Sequence, residues 1–357
     1  MSPRPALTVR ADLMDLEPYR SPQVAARYRL NTNESPHPPP EKLIETITAR
    51  LAGIALNRYP DHHASGLFGA IARYADWSDD GLWVANGSNE VLLHLFLAFG
   101  GPGRTSVTFE PTYSLHTAIP RIAGTRVRQL WRAEDFSIDL DEAVALIRTQ
   151  RPEIVMVCSP NNPSGNCESR DTVRALLEEA PGIVVVDEAY IEFTDSSNSM
   201  RSLLDDHPNL VLVRTFSKAW RLAGLRIGYL LADPELVAEI ARVRLPYHLS
   251  SVTQAVGEAA AAFVDHTMEA AEAVAKERER IAVELQAFGL KTYPSRANFV
   301  LFQVDDPEFI WRALLERGIL VRNYNDVPGL MGCLRVTAGM PDETDAFLSA
   351  LREVLDD

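Results

Sequence analysis

Three stretches decide the fold: 154-IVMVCSPNNPSG-165, 183-IVVVDEAY-190 and 210-LVLVRTFSK-218. Each opens on a short apolar, mostly β-branched run and breaks abruptly into polar residues. From about residue 41 to 235 such runs alternate with helical segments, the signature of a parallel sheet covered by helices. The polar tails therefore fall at strand C-termini, and in open α/β sheets ligands bind in the crevice outside those ends. One such tail would be ordinary. Three of them, ending in an amide (Asn162), a carboxylate (Asp187) and an amine (Lys218), form a candidate site.

Before these stretches, Leu43, Ile44, Ile47 and Leu51 have helical spacing, and Gly53 supplies the stop. The residues before them, ending in Pro38-Pro39-Pro40, read as an extended arm. An alanine-rich, helix-favouring stretch runs from about residue 250 to 288 and closes at Gly289. The pattern then changes to a strand at 298–303, a helix at 307–317, strands at 319–322 and 334–337, and a last helix at 342–355. The expectation is an α/β protein in three parts. Residues 1–40 would form the arm and part of a small domain, 41–248 a large domain with a mainly parallel sheet, and 249–357 a small α+β domain.

Composition bounds the function. The 357 residues are 46% hydrophobic and 24% charged, the balance of a globular protein rather than a disordered one. A net charge of -14 argues against nucleic-acid binding, which needs a basic face, but leaves room for a local arginine pocket. Cys158, Cys167 and Cys333 make no disulfide framework and have no metal-ligand spacing, which suits a reducing compartment and no metal. No signal-like segment opens the sequence, and the apolar run 91–99 is broken by His94, so neither secretion nor membrane contact is expected and a cytoplasmic location fits.

The chemistry follows from residue type. A lysine bonds covalently to a carbonyl cofactor only as a neutral amine in a site that lowers its pKa, and Lys218 stands in such a place. A buried aspartate needs a positive partner, which a protonated pyridine nitrogen offers Asp187; a helix cap or an ordinary ion pair is the plainer reading. Tyr190 and Asn162 can hydrogen-bond a phenolic oxygen on the same ring, although Asn-Asn-Pro-Ser-Gly is also good turn chemistry. Gly87-Ser88-Asn89-Glu90 precedes an apolar helix whose free amides suit a phosphate, with Thr215, Ser217 and Arg226 to complete the cradle; a simple N-cap is the alternative. Tyr113 offers a face for ring stacking or for core packing.

Those residues, with Leu222-Ala223-Gly224-Leu225-Arg226-Ile227-Gly228-Tyr229, resemble fold-type I aminotransferases. More narrowly, Leu30-Asn31-Thr32-Asn33-Glu34, Asn57-Arg58-Tyr59-Pro60-Asp61, Ala85-Asn86-Gly87-Ser88-Asn89-Glu90 and Cys333-Leu334-Arg335-Val336-Thr337 resemble the histidinol-phosphate aminotransferase family over nearly the whole chain. The resemblance implies pyridoxal phosphate held covalently by Lys218, with Asp187 on the ring nitrogen and Asn162 and Tyr190 on the ring oxygen. It implies Ser88, Asn89, Ser217 and Arg226 on the phosphate, and Tyr59 reaching that phosphate from a second subunit, hence a homodimer with shared active sites. Arg335 would anchor the anionic end of the substrate, assisted by Arg322, Tyr19 and Asn33. Ser35 and Trp220-Arg221 depart from the pattern near the expected pocket.

The expected reaction is reversible transamination between L-histidinol phosphate and 2-oxoglutarate, giving imidazole acetol phosphate and L-glutamate in histidine biosynthesis. Two other activities on the same scaffold fit the residues: aromatic amino-acid transamination and threonine-phosphate decarboxylation. A noncatalytic regulator would need a partner-binding or DNA-binding segment, and the arm before Asn31 is too short for a helix-turn-helix domain.

Overall fold

The computed structural model describes residues 8–18 and 24–356. Its centre is a seven-stranded sheet of β1 (Leu82–Ala85), β2 (Thr105–Glu110), β3 (Arg126–Trp131), β4 (Ile154–Cys158), β5 (Ile183–Asp187), β6 (Leu210–Thr215) and β7 (Gly228–Ala232), in the order β1-β7-β6-β5-β4-β2-β3. Strands β2 to β6 pair in parallel, and β7 runs against both its neighbours.

The apolar runs are continuous because both faces of the sheet are covered. Successive side chains alternate between faces. Val155, Val157, Val184, Val186, Leu210 and Leu212 enter one core, while Ile154, Met156, Ile183, Val185, Val211 and Val213 enter another on the opposite side. The edge strand β3 is mostly exposed and carries Arg126 and Arg128, charges of the kind that discourage edge pairing.

A second sheet is antiparallel: β8 (Lys291–Thr292), β9 (Phe299–Gln303), β10 (Arg322–Asn323) and β11 (Cys333–Thr337), in the order β10-β11-β9-β8. Helices Val264–Ala287, Pro307–Glu316 and Pro341–Asp356 bury their apolar sides with it around Phe299, Phe302, Leu314, Phe347 and Leu351.

Two local expectations are refined. The alanine-rich stretch is two helices, Ser251–Ala260 and Val264–Ala287, joined by a 3-10 turn at Ala261–Phe263. The first packs on helices Glu41–Ala52 and Ser65–Ala75, the second on β9, so the break falls where the chain passes from one set of neighbours to the other. The run 319–322 divides between two sheets, because Ile319–Leu320 pairs in parallel with Tyr28–Arg29 while Arg322 pairs with β11. That first pairing stitches down the arm. Leu30 then accepts from the Thr337 amide at 2.9 Å, which delivers residues 31–33 to the C-terminal ends of the central strands.

Candidate active site

The ends of β4, β5 and β6 come level through their register. Cys158 pairs with Asp187, and Asp187 with Val213. They open onto a cavity of about 250 Å³ lined by Asn33, Ser88, Asn89, Tyr113, Asn162, Asp187, Tyr190, Thr215, Ser217, Lys218, Arg226, Arg322 and Arg335, among others. Of the residues expected from sequence, Tyr59 lies elsewhere: its ring is 80% exposed and stacks on Tyr247 with centroids 4.5 Å apart. Tyr19 lies outside the described residues. Ser35, Trp220 and Arg221 are absent from the cavity wall. Trp220 instead stacks on Phe216 at 4.2 Å inside the core, and Arg221 ties the carbonyls of Pro38 and His266 together.

Lys218 Nζ donates to the carbonyls of Thr32 and Asn33 at 3.2 and 3.1 Å. Burial, with the Arg335 and Arg226 charges adding to it, lowers its pKa to about 8, so the neutral amine is far more accessible near neutral pH than on an ordinary lysine, although the ammonium still predominates below about 8. Tyr190 Oη accepts from Asn33 Nδ2 at 2.9 Å and from Asn162 Nδ2 at 3.4 Å, and burial raises its pKa, which keeps the phenol protonated. Asn33 sits at φ 56°, a conformation asparagine tolerates better than most residues, and Thr337 holds it through two contacts of 3.1 Å.

Asp187 accepts the Ala189 amide at 3.0 Å on one oxygen, and His116 Nε2 lies 2.9 Å from the other. His116 carries no local signal in the sequence. It stands three residues after Tyr113 on the helix Leu115–Ala123, and only the tertiary fold carries it beneath Asp187. Cys158 is close enough that His116, Cys158 and Asp187 place donor atoms within 4.8 Å of one another. Burial and the Asp187 charge push the Cys158 thiol far up, so it stays protonated and is a poor metal ligand.

The opposite wall fits a phosphate. Helix Ser88–Phe99 begins without a side-chain cap, so its first amides face the cavity end with the positive pole of the helix. Gly87 has φ 86°, and a Cβ there would strike the Arg226 guanidinium; a Cβ at Gly228 would strike the Ser88 backbone. Arg226 itself adopts φ 54° and donates to Ser217 Oγ at 3.1 Å, while Ser217 N donates to Thr215 Oγ1 at 3.1 Å. A cation, two hydroxyls and uncapped amides thus surround one small space.

At the far end Arg335 is 4% exposed, yet its guanidinium meets only neutral oxygens among the described residues. It donates to Asn162 Oδ1, to Tyr324 Oη at 2.7 Å and to the Asn31 carbonyl at 2.9 Å, while Nε is buried without a partner. A buried cation without a carboxylate is costly and points to an anionic ligand.

The chain matches the family described as aminotransferase class I and II over residues 28–351. It is 45% identical to a histidinol-phosphate aminotransferase of Mycobacterium avium and 46% identical to one of Frankia casuarinae, over 98% of this chain and 90% of each relative. Among solved structures, the histidinol-phosphate aminotransferase of Sinorhizobium meliloti in complex with pyridoxal 5'-phosphate superposes with a TM-score of 0.84 at 28% identity, covering 93% of this chain and 92% of the other. No helix among the described residues is long and apolar enough to cross a membrane.

Proposed function

The chain belongs to the class I and II aminotransferase family, and from that premise we propose that it interconverts L-histidinol phosphate and 2-oxoglutarate with imidazole acetol phosphate and L-glutamate, using pyridoxal phosphate. The observation that carries this reading is the convergence of Lys218, Asp187, Tyr190 and Asn162 on one cavity, with a phosphate cradle at one end and a buried arginine at the other. Pyridoxal phosphate supplies a carbonyl that exchanges amino groups and a cationic ring that accepts electrons. Lys218 holds it covalently. Asp187 takes the ring nitrogen, Asn162 and Tyr190 the ring oxygen, Tyr113 the ring face, and Ser88, Asn89, Thr215, Ser217 and Arg226 the phosphate.

The protein's own contribution is proton handling and orientation. Lys218 Nζ, with a pKa near 8, is released when the substrate amine takes its place on the carbonyl, and it then carries the proton between the amine-bearing carbon of the substrate and the former carbonyl carbon. Asp187 faces the ring nitrogen, held in orientation by His116 and the Ala189 amide. Arg335, with Arg322, Asn33 and Tyr19, receives the anionic end. A guanidinium fork accepts either carboxylate or phosphate, so one pocket serves both half-reactions.

Tyr59 completes the cofactor's phosphate site from a second copy of the chain, which makes the working unit a homodimer. Its 80% exposure, with Leu56 at 82% and Leu245 at 72%, supports an apolar face suited to a partner. A reducing cytoplasm fits three free cysteines, of which Cys158 and Cys333 are buried. The direct test of the cofactor assignment is a visible absorbance band that borohydride bleaches in the wild type and that Lys218→Ala lacks.

A further inference from the structure

Arg322 and Arg335 pair directly across the β10–β11 ladder. Like charges directly opposed on an antiparallel pair are destabilising on their own. Both guanidinium carbons lie against one ring, Tyr324, at 5.6 Å for Arg322 and 5.3 Å for Arg335 from its centroid. The Tyr324 hydroxyl accepts from Arg335 Nη1 at 2.7 Å, and Tyr324 lines the cavity together with both arginines. A phenol has lone pairs to accept with and one proton to give. Since Arg335 occupies the acceptor side, that proton is left for an acceptor in the cavity.

We propose that Tyr324 sets the preference of this pocket for a phosphate monoester over a carboxylate by donating its hydroxyl proton to a phosphate oxygen. A carboxylate has two oxygens, which a guanidinium fork satisfies. A phosphate dianion has three terminal oxygens and two negative charges, so it uses both arginines and one donor more. Val327 and Leu330 continue the wall beside Tyr324, and its ring packs with them and with Phe136 and Leu301. Removing the hydroxyl alone therefore leaves the packing in place. This inference rests on the proposed function for the identity of the phosphorylated substrate, but not for the chemistry of the anion.

The test is Tyr324→Phe in the purified holoenzyme, where the cofactor already fills its own phosphate cradle. Calorimetric binding of inorganic phosphate and of succinate is measured beside kcat and KM for histidinol phosphate and for glutamate. Phosphate binding and kcat/KM for histidinol phosphate are expected to fall about 10- to 100-fold, chiefly through KM, as for the loss of a hydrogen bond to a charged group. Succinate binding and the glutamate half-reaction lose only the support that Tyr324 gives Arg335 and fall by about threefold to fivefold, well short of the loss for phosphate. Equal losses for both anions, or no loss for phosphate, overturn the assignment. If the wild type ignores histidinol phosphate, the proposed function fails, and the comparison of phosphate with succinate still decides the role of Tyr324.

Discussion

Asp187 Oδ2 and His116 Nε2 lie 2.9 Å apart with both side chains buried at the C-terminal end of β5. The pair fixes the direction of the carboxylate, because its other oxygen is already tied to the Ala189 amide. Asp187→Asn, which keeps the shape and removes the charge, should lower kcat by roughly 100-fold or more. His116→Asn, which removes the orienting contact together with the ring's edge-on contact to Tyr113, should cost about tenfold. Single-turnover decay of the cofactor absorbance on mixing with glutamate measures both.

Lys218 gives a pH prediction. Its pKa is lowered to about 8, so the neutral amine dominates above that value and the ammonium below it. Capture of pyridoxal phosphate by cofactor-free enzyme should accelerate as pH rises through about 8 and level off above it. An undisplaced lysine would keep accelerating to beyond about 10. Stopped-flow absorbance across pH 6.5–10.5, an interval of roughly two units either side of the expected midpoint, separates the two cases.

Arg335→Lys should behave as a severe change despite conserving charge. One ammonium cannot reach Asn162, Tyr324 and the Asn31 carbonyl together in the geometry of a planar fork. The expectation is a loss of at least ~30-fold in kcat/KM for glutamate and for histidinol phosphate alike, with the cofactor absorbance unchanged. Steady-state kinetics with each donor checks it.

Beneath the site, Glu192 is buried beside Tyr74, with one carboxylate oxygen lacking a partner, and burial raises its pKa to about 7. The folded state therefore binds a proton more readily than the unfolded chain, and wild-type stability falls as pH rises from about 4.5 to about 7. Glu192→Gln mimics the protonated form and escapes that loss. Its stability relative to wild type should rise across this interval, by on the order of 1–3 kcal/mol, and stay constant above it. Denaturant titrations at pH 5, 6, 7 and 8, values chosen roughly to bracket the two pKa values, read the difference.

The large sheet was legible because β4, β5 and β6 are buried on both faces and so leave unbroken apolar runs, each ended by a polar group at one level of the sheet. The helical character of 250–288 was legible, but not its division into two helices, because the break at 261–263 has no glycine or proline and arises from a change of packing partners. His116 and Tyr324 were not legible at all. Each acts through a neighbour distant in sequence, Asp187 in one case and Arg335 in the other, and a lone histidine or tyrosine carries no local signal of that. Trp220, taken for a neighbour of the pocket, turns out to be a core residue because the chain after Lys218 folds its ring back onto Phe216.

Incubating purified enzyme with L-histidinol phosphate and 2-oxoglutarate and measuring glutamate formed, with phenylalanine as a parallel donor and carbon dioxide release followed, distinguishes the three activities. Glutamate is expected in amounts matching histidinol phosphate consumed, with a much lower kcat/KM for phenylalanine, no carbon dioxide, and no turnover in Lys218→Ala. Preference for phenylalanine, carbon dioxide release from a phosphorylated amino acid without need of a keto acid, or full activity in Lys218→Ala would contradict the proposed function.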